Sequence, residues 1–240
     1  MNINNKAKIT LIAIAAIFLA IISSEFISAV DINFTYDSNG NMISGDGRFR
    51  TYNSVNQLSR IYNGSNASMP LLFEYRYHPV EDRVWMKRRY LANGSIAETT
   101  YYFTKNSLRV INSSGTFNIT YIYHDGVLIA QSINNIKTYF LTDALGNVVA
   151  SINATTGSAF ENTTYSPYGD IITGGNRTRY DFRGREYDDY SLVSDFNLRK
   201  YNPDMGVFIQ PKFASEIYDP QLFNPYAFSR NNPYRVEMKD

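Results

Sequence analysis

The side chains with the widest chemical scope in this chain are its carboxylates, because Cys is absent and only His78 and His124 supply imidazoles. That composition excludes a disulfide framework and a thiolate metal site, and it gives a His-based metal site little support. Glu186, Asp188, Asp189 and Asp195 crowd into one polar segment. Two carboxylates facing a cleft at about 5 to 9.5 Å could hydrolyse a glycoside, but sequence neighbours of this kind more often form a solvated face, which is the expectation here. Asp37, Asn39 and Asn41 match the first three ligands of a calcium loop. Met42 then stands where Gly is needed and Arg48 where the bidentate Glu belongs, so a simple turn is expected. Arg83, Lys87, Arg88 and Arg89, beside Trp85 and Tyr90, alternate faces on a strand and read as a solvated edge rather than a nucleic-acid patch. Neither a Gly-rich phosphate loop nor a nucleophile elbow is present, and no cofactor or metal is expected.

A different chemistry is offered by Asn-x-Ser/Thr sequons at Asn33, Asn63, Asn66, Asn93, Asn112, Asn118, Asn153, Asn162 and Asn176. Chance would give roughly three or four. Turn-forming Asn, Ser, Thr and Gly account for part of the excess. N-glycosylation in a host carrying the machinery accounts for the rest. All nine follow an apolar run, Ile9 to Ile22, which is preceded by Lys6 and Lys8 and trailed by Ser23, Ser24, Ser28 and Ala29. This is the layout of a signal peptide cut after Ala29, and the run is short for a spanning helix. An uncleaved anchor is the other reading, since Phe26, Ile27 and Val30 continue the apolar character. The formal charge is +1, and loss of residues 1–29 leaves 21 basic and 21 acidic residues. A neutral domain makes no electrostatic case for nucleic acid or an anionic membrane. A membrane is met only through an uncleaved N-terminal segment.

The elements that must position these residues are strands. Beyond residue 30 short alternating runs lie between turn signals, as in antiparallel hairpins. Leu72 to Tyr77 stops at His78-Pro79; Arg83 to Tyr90 and Thr99 to Thr104 flank Asn93-Gly94; Phe117 to Tyr123 and Val127 to Ser132 flank Asp125-Gly126. Lys137 to Leu141 and Asn147 to Asn153 flank Asp143–Gly146. Residues 170–179 read as a loop, and Glu186 to Leu198 as weakly helical. The spacing of about 15–25 residues per hairpin suits a repeat array.

The repeats share a signature, an aromatic residue followed by turn-forming Asp, Asn, Pro or Gly. It occurs at Tyr36-Asp37-Ser38-Asn39-Gly40-Asn41, at Tyr139 to Val148 with Asp143 and Gly146, and at Tyr165 to Asp170 with Tyr168 and Gly169. It returns at Arg199 to Ile209 with Tyr201, Pro203 and Gly206, and at Asn231-Asn232-Pro233. Tyr would end a strand with its ring buried, Asp or Asn would start the turn by bonding its own backbone two residues on, and Gly would take the positive φ. Together these motifs resemble the RHS/YD-repeat family with its repeat-associated core, the shell proteins of polymorphic toxins, insecticidal toxin complexes and teneurins. The resemblance implies an all-β fold: antiparallel hairpin repeats forming part of a YD-repeat β-shell, preceded by an N-terminal signal helix. Residues 1–29 would be the signal peptide or anchor, 30–135 YD-repeat hairpins and 136–240 the core-like region. It also implies an aspartyl self-protease in that core, with acids in a Pro-Asp-Pro and in an Asp-Pro-x-Gly after Asn-Asn-Pro. Here Lys212 occupies the first aspartate position, and Val236 to Asp240 lack the second motif. Acid proteolysis needs two carboxylates sharing a proton. The expectation is therefore a non-enzymatic, exported shell protein for binding, adhesion or encapsulation. Its partners would be a protein, a second copy paired through β edges, or carbohydrate stacked on Tyr rings. The alternative is a degenerate self-processing core of a secreted toxin, here without a following toxin domain.

Overall fold

The structure is a computed structural model that describes residues 33–212 and 223–234. The expected signal segment and the positions after Tyr234 lie outside the described residues. The described fold is all-β and antiparallel.

β1 (Thr35–Tyr36) and β2 (Met42–Ser44) form a first hairpin. An eleven-stranded meander follows, in which spatial order equals chain order. Its strands are β3 (Arg48–Tyr52), β4 (Leu58–Asn63), β5 (Leu71–Tyr77), β6 (Val84–Tyr90), β7 (Ile96–Tyr102), β8 (Ser107–Asn112), β9 (Gly115–His124), β10 (Val127–Ile133), β11 (Ile136–Thr142), β12 (Val148–Asn153) and β13 (Ala159–Asn162). A small hairpin of β14 (Thr164–Tyr165) and β15 (Ile171–Thr173) leads to a C-terminal four-stranded module. The module comprises β16 (Glu186–Asp188), β17 (Val193–Phe196), β18 (Arg199–Asn202) and β19 (Val207–Phe208).

Alternation sets which face of the sheet is covered. In β9, Ile119 and Tyr121 are buried, whereas Asn118, Thr120 and Ile122 are exposed. Buried residues of the sheet (Leu58, Ile61, Phe73, Tyr75 and Val84) pack with Val193 and Ile209 of the C-terminal region. The module therefore covers one face of the meander. Its own core is aromatic: Phe182, Phe196, Tyr201, Phe208 and Phe228, with Tyr201 and Phe228 ring centroids 4.5 Å apart.

One turn chemistry recurs. The Asp37 carboxylate accepts N–H bonds from Asn39 (2.9 Å) and Asn41 (2.8 Å), and the Asn41 amide donates to its second oxygen (2.9 Å). Asp143 does the same with Leu145 (2.9 Å), Asn147 (2.9 Å) and the Asn147 amide (2.7 Å). Gly40 and Gly146 sit at φ +80° and +82°. An acid at the first position and Gly at the fourth are what this turn requires.

Four expectations need correction. Tyr36 and Tyr139 are exposed, at 43% and 47%, rather than buried. Tyr36 lies against the Tyr226 ring (5.4 Å), and Tyr139 faces outward on β11. Residues 186–198 are strands rather than weakly helical, because left-handed Leu192 (φ +60°) and Asn197 (φ +65°) close tight turns there. Residues 170–179 include strand β15. β6, which carries the basic run, is an interior strand paired on both sides rather than an edge.

The β14–β15 turn bears on stability. A Cβ on Gly169 would lie 2.3 Å from Cγ of buried Phe182, at φ +94°. Gly169→Ala should lower the melting temperature by about 6 °C, or about 2 kcal/mol. Gly94→Ala, at φ +82° with open space around a Cβ, should cost about half as much; equal effects in a thermal melt would rule out the clash with Phe182.

Candidate functional site

The covered face of the sheet is largely apolar, with buried Arg50 on β3 and Gln131 on β10 as isolated polar groups and a cluster of charges where β6 meets β7. There the register sets Lys87 opposite Thr100 and Arg89 opposite Glu98. The C-terminal region answers with Arg179, which precedes the short 3-10 turn Phe182–Gly184, and with Glu186 and Asp188 of β16. The Lys87 ammonium donates to Glu186 Oε1 (2.8 Å) and Asp188 Oδ2 (3.1 Å). Arg179 bonds Glu186 Oε1 through Nη2 (2.9 Å) and Glu98 Oε1 through Nη1 (2.9 Å). The Tyr102 hydroxyl lies 2.8 Å from both Glu186 oxygens.

The electrostatics follow from burial and pairing. Burial alone would raise the Glu186 carboxyl, but Lys87 and Arg179 beside it reverse that and hold it at about 2. Burial likewise works against the Lys87 ammonium, yet Glu186 and Asp188 hold its pKa above the ordinary value. Burial pushes the hydroxyls of Tyr102, Tyr121 and Tyr180 up, with Glu186 adding to the effect. The tyrosines stay neutral and the ion pairs charged, an arrangement suited to joining two surfaces and poorly suited to moving protons. This overturns the solvated-face expectation for Glu186, Asp188 and Asp195, while Asp189 is exposed as expected. Glu186 is 6% exposed, and Asp195 is paired with the buried Lys200 ammonium (2.7 Å). Lys87, expected at a solvated edge, is likewise 6% exposed.

A second buried acid lies apart from the network. Burial, then Glu161 and Asp189, pushes the Asp181 carboxyl up to about 8. Its Oδ1 meets no donor among the described residues.

Most of the signature residues converge on the C-terminal module. Tyr201 donates to the Tyr168 carbonyl (2.7 Å), and Tyr168 donates to the Asn231 carbonyl (3.2 Å). A Cβ on Gly206 would touch the Tyr168 ring at 3.0 Å. Arg183 donates to the Pro233 carbonyl, while Asn232 closes a local turn by accepting from Tyr234 N–H (3.2 Å). Pro203 is buried beside Asn202, whose amide donates to Asp46 (3.1 Å). Tyr226 reaches the Gly40 carbonyl (2.7 Å) beside the Asp37 turn, and Asn147 of the Asp143–Gly146 turn accepts from Arg183 N–H (2.8 Å). Tyr139 stays outside this convergence. Of the sequon asparagines, eight are exposed and Asn112 is half-buried. Sequence reasoning misses Lys87, Glu98, Tyr102 and Arg179 as site residues; the available signal is a charge at an inward position of an alternating strand.

Beside the network a cavity of about 690 Å³ opens between the sheet turns and the module, lined among others by Arg83, Lys105, Asp125, Arg185, Glu186 and Asp195. A hairpin-repeat sheet with an aromatic module bolted to one face is the architecture of a YD shell. The chain belongs to the Teneurin YD-shell family, which it matches over residues 23–234. It is 26% identical over 226 residues to the tRNA3(Ser)-specific nuclease WapA of Bacillus spizizenii, covering 88% of this chain and 9% of that protein. It is 24% identical over 213 residues to teneurin-3 of Mus musculus, covering 85% of this chain and 8% of that one. Among solved structures it resembles the Photorhabdus luminescens Tc holotoxin pore with a TM-score of 0.70 at 18% identity, over 85% of this chain and 10% of that one. The TcdB2-TccC3-Cdc42 complex gives a TM-score of 0.68 at 18% identity, over 85% and 10%. The chain thus spans about a tenth of the length of these relatives.

Proposed function

We infer that the chain is an exported, non-catalytic segment of shell wall that holds a polypeptide partner. The observation that carries this reading is the commitment of Glu186. The acid at the centre of the charged network is buried and held at about 2 by two cations and a tyrosine. A general acid or base needs a pKa near working pH and access to substrate, and Glu186 has neither. Teneurin and toxin relatives support an extracellular or cell-surface location. Relatives solved as multi-protein complexes support a protein partner. The cavity beside the network, with cations and acids on its walls, fits a polar peptide segment better than a sugar.

The self-processing reading requires an acid where Lys212 stands. Lys212 is exposed, and its N–H bonds the Pro225 carbonyl (2.9 Å). The purified chain, held for a day at pH 4, 6 and 8, should give one intact mass throughout. A fragment ending within 199–213 or 231–240 would restore self-cleavage and remove the non-catalytic reading.

A further inference from the structure

Successive turns of an antiparallel meander fall on opposite edges of the sheet. The turns 53–57, 78–83, 103–106, 125–126 and 143–147 therefore form one row. The turns 64–70, 91–95, 113–114, 134–135 and 154–158 form the other. The rows differ in chemistry. The first carries Glu81, Asp82, Arg83, Lys105, Asp125 and Asp143, supplies part of the wall of the large cavity, and contains no sequon. The second contains no Asp, Glu, Lys or Arg. Within it or at the strand ends abutting it lie Asn63, Asn66, Asn93, Asn112 and Asn153, with Asn118 just inside β9.

Four of these asparagines share one geometry. The amide oxygen accepts the N–H of the sequon's own hydroxyl residue: Asn66 from Ser68 (2.9 Å), Asn93 from Ser95 (3.0 Å), Asn112 from Ser114 (2.9 Å) and Asn153 from Thr155 (2.8 Å). At Asn93 the Ser95 hydroxyl also lies 2.7 Å from that oxygen. Among the described residues the four amide nitrogens donate to nothing. Asn176 differs, because its amide nitrogen is engaged by Glu161 (3.2 Å) and the Gly174 carbonyl (3.2 Å). Turn formation alone does not account for the pattern. Asp closes such turns as well as Asn, and the first row uses Asp143 and Asn53 in that role, the latter without a sequon. An exposed row of neutral turns rich in Asn, Ser, Thr and Gly, with no ionic group, offers open space for a bulky solubilising sugar.

We propose that the second turn row is an N-glycosylated rim, modified at Asn66, Asn93, Asn112 and Asn153, and that the charged first row stays bare for the polypeptide partner. In the reaction the amide nitrogen forms a bond to the anomeric carbon of a lipid-pyrophosphate-linked oligosaccharide. The bond from that carbon to phosphate oxygen breaks with its electron pair, the lipid pyrophosphate leaves, and the amide proton passes to a basic group of the host's oligosaccharyltransferase. A sugar added before folding must still be accommodated afterwards. The nitrogens of the four turns, which donate to nothing among the described residues, allow that without loss of a bond, whereas at Asn176 the sugar replaces one of two engaged amide hydrogens and at least one hydrogen bond would break.

The inference rests on export and is tested by glycopeptide mapping of the full chain from its native host, with intact mass before and after deglycosylation. The expected result is occupancy at the four turn asparagines well above that at Asn33, Asn162 and Asn176. In the combined Asn66→Asp, Asn93→Asp, Asn112→Asp and Asn153→Asp variant the four glycans are lost while the unfolding midpoint at pH 7 is unchanged, because Asp keeps each turn. Glycans spread evenly over all nine sequons, or absent from the four, would overturn the rim while leaving export standing. An unmodified mass beginning at Met1 would overturn both.

Discussion

Replacing Glu186 with alanine should lower the free energy of unfolding by about 3 kcal/mol. The reason is what remains. Buried Lys87 and half-buried Arg179 would lose the carboxylate they share, leaving Lys87 only Asp188 and Arg179 only Glu98 as acidic partners. Lys87→Met should cost less, because Glu186 keeps Arg179 and the Tyr102 hydroxyl. In urea the Glu186→Ala midpoint should fall by about 1–2 M. A double-mutant cycle over Lys87 and Glu186 should return a coupling above about 1 kcal/mol. The pH dependence carries a matching signature. A carboxyl held at about 2 in the fold, against 4.5 as its ordinary value, contributes stability that is fully present above the ordinary value. That stability, about 3 kcal/mol, is lost as pH falls from about 5 towards 2. The variant should lack that acid loss. A loss below about 1 kcal/mol in the variant would mean that the network does not hold the module to the sheet.

How far such a network can be read from sequence depends on range. The turns at Asp37 and Asp143 are legible because the carboxylate bonds that define them close within four residues. The hairpins β6–β7, β9–β10 and β11–β12 are legible because alternation and the short turns between them determine the pairing, whereas no Asn-Gly or Asp-Gly turn marks off β8. The ionic network is not, because Lys87 and Glu186 lie 99 residues apart. A lysine on a strand and a run of acids each resemble solvated surface when taken alone. The weak helical character of 186–198 misleads for a local reason: the left-handed Leu192 and Asn197 break any helix and close two turns instead. The exposed Tyr36 and Tyr139 show that the aromatic member of the signature is not tied to one face. Tyr52 and Tyr165, half-buried, bond the Met42 and Val148 carbonyls (2.8 and 2.7 Å), whereas Tyr36 and Tyr139 stay at the surface.

Asp181→Asn should stabilise the protein, most strongly near pH 8. Asp181 is 2% exposed, and burial, then Glu161 and Asp189, pushes its carboxyl from 3.8 to about 8. Because the folded value lies above the unfolded one, the group's contribution is fully present below about pH 4 and is lost as pH rises through about 8. The fold must either keep the acid protonated or bury a charge. The backbone around it is committed: its N–H donates to the Arg185 carbonyl (3.0 Å), and its carbonyl accepts from Val148 (3.2 Å) and Gly184 (3.1 Å). Relief must therefore come from the side chain. An amide is isosteric and carries no charge, and the Tyr165 hydroxyl beside it, which donates to the Val148 carbonyl (2.7 Å), can still accept a bond from the new amide nitrogen. At pH 8 the gain should be about 3–5 kcal/mol, shrinking to near zero at pH 4. Urea midpoints across that range measure it, and the wild type should fall with rising pH while the variant stays flat. A variant less stable than wild type at pH 8 would show that Asp181 is ionised in the fold and held by a cation. The two pH effects oppose each other: Glu186 removes stability as pH falls below about 5, and Asp181 removes it as pH rises from about 4 to 8. The intact protein should accordingly be most stable near pH 4, well below neutrality, and Asp181→Asn should extend that maximum upward without altering the acid limb.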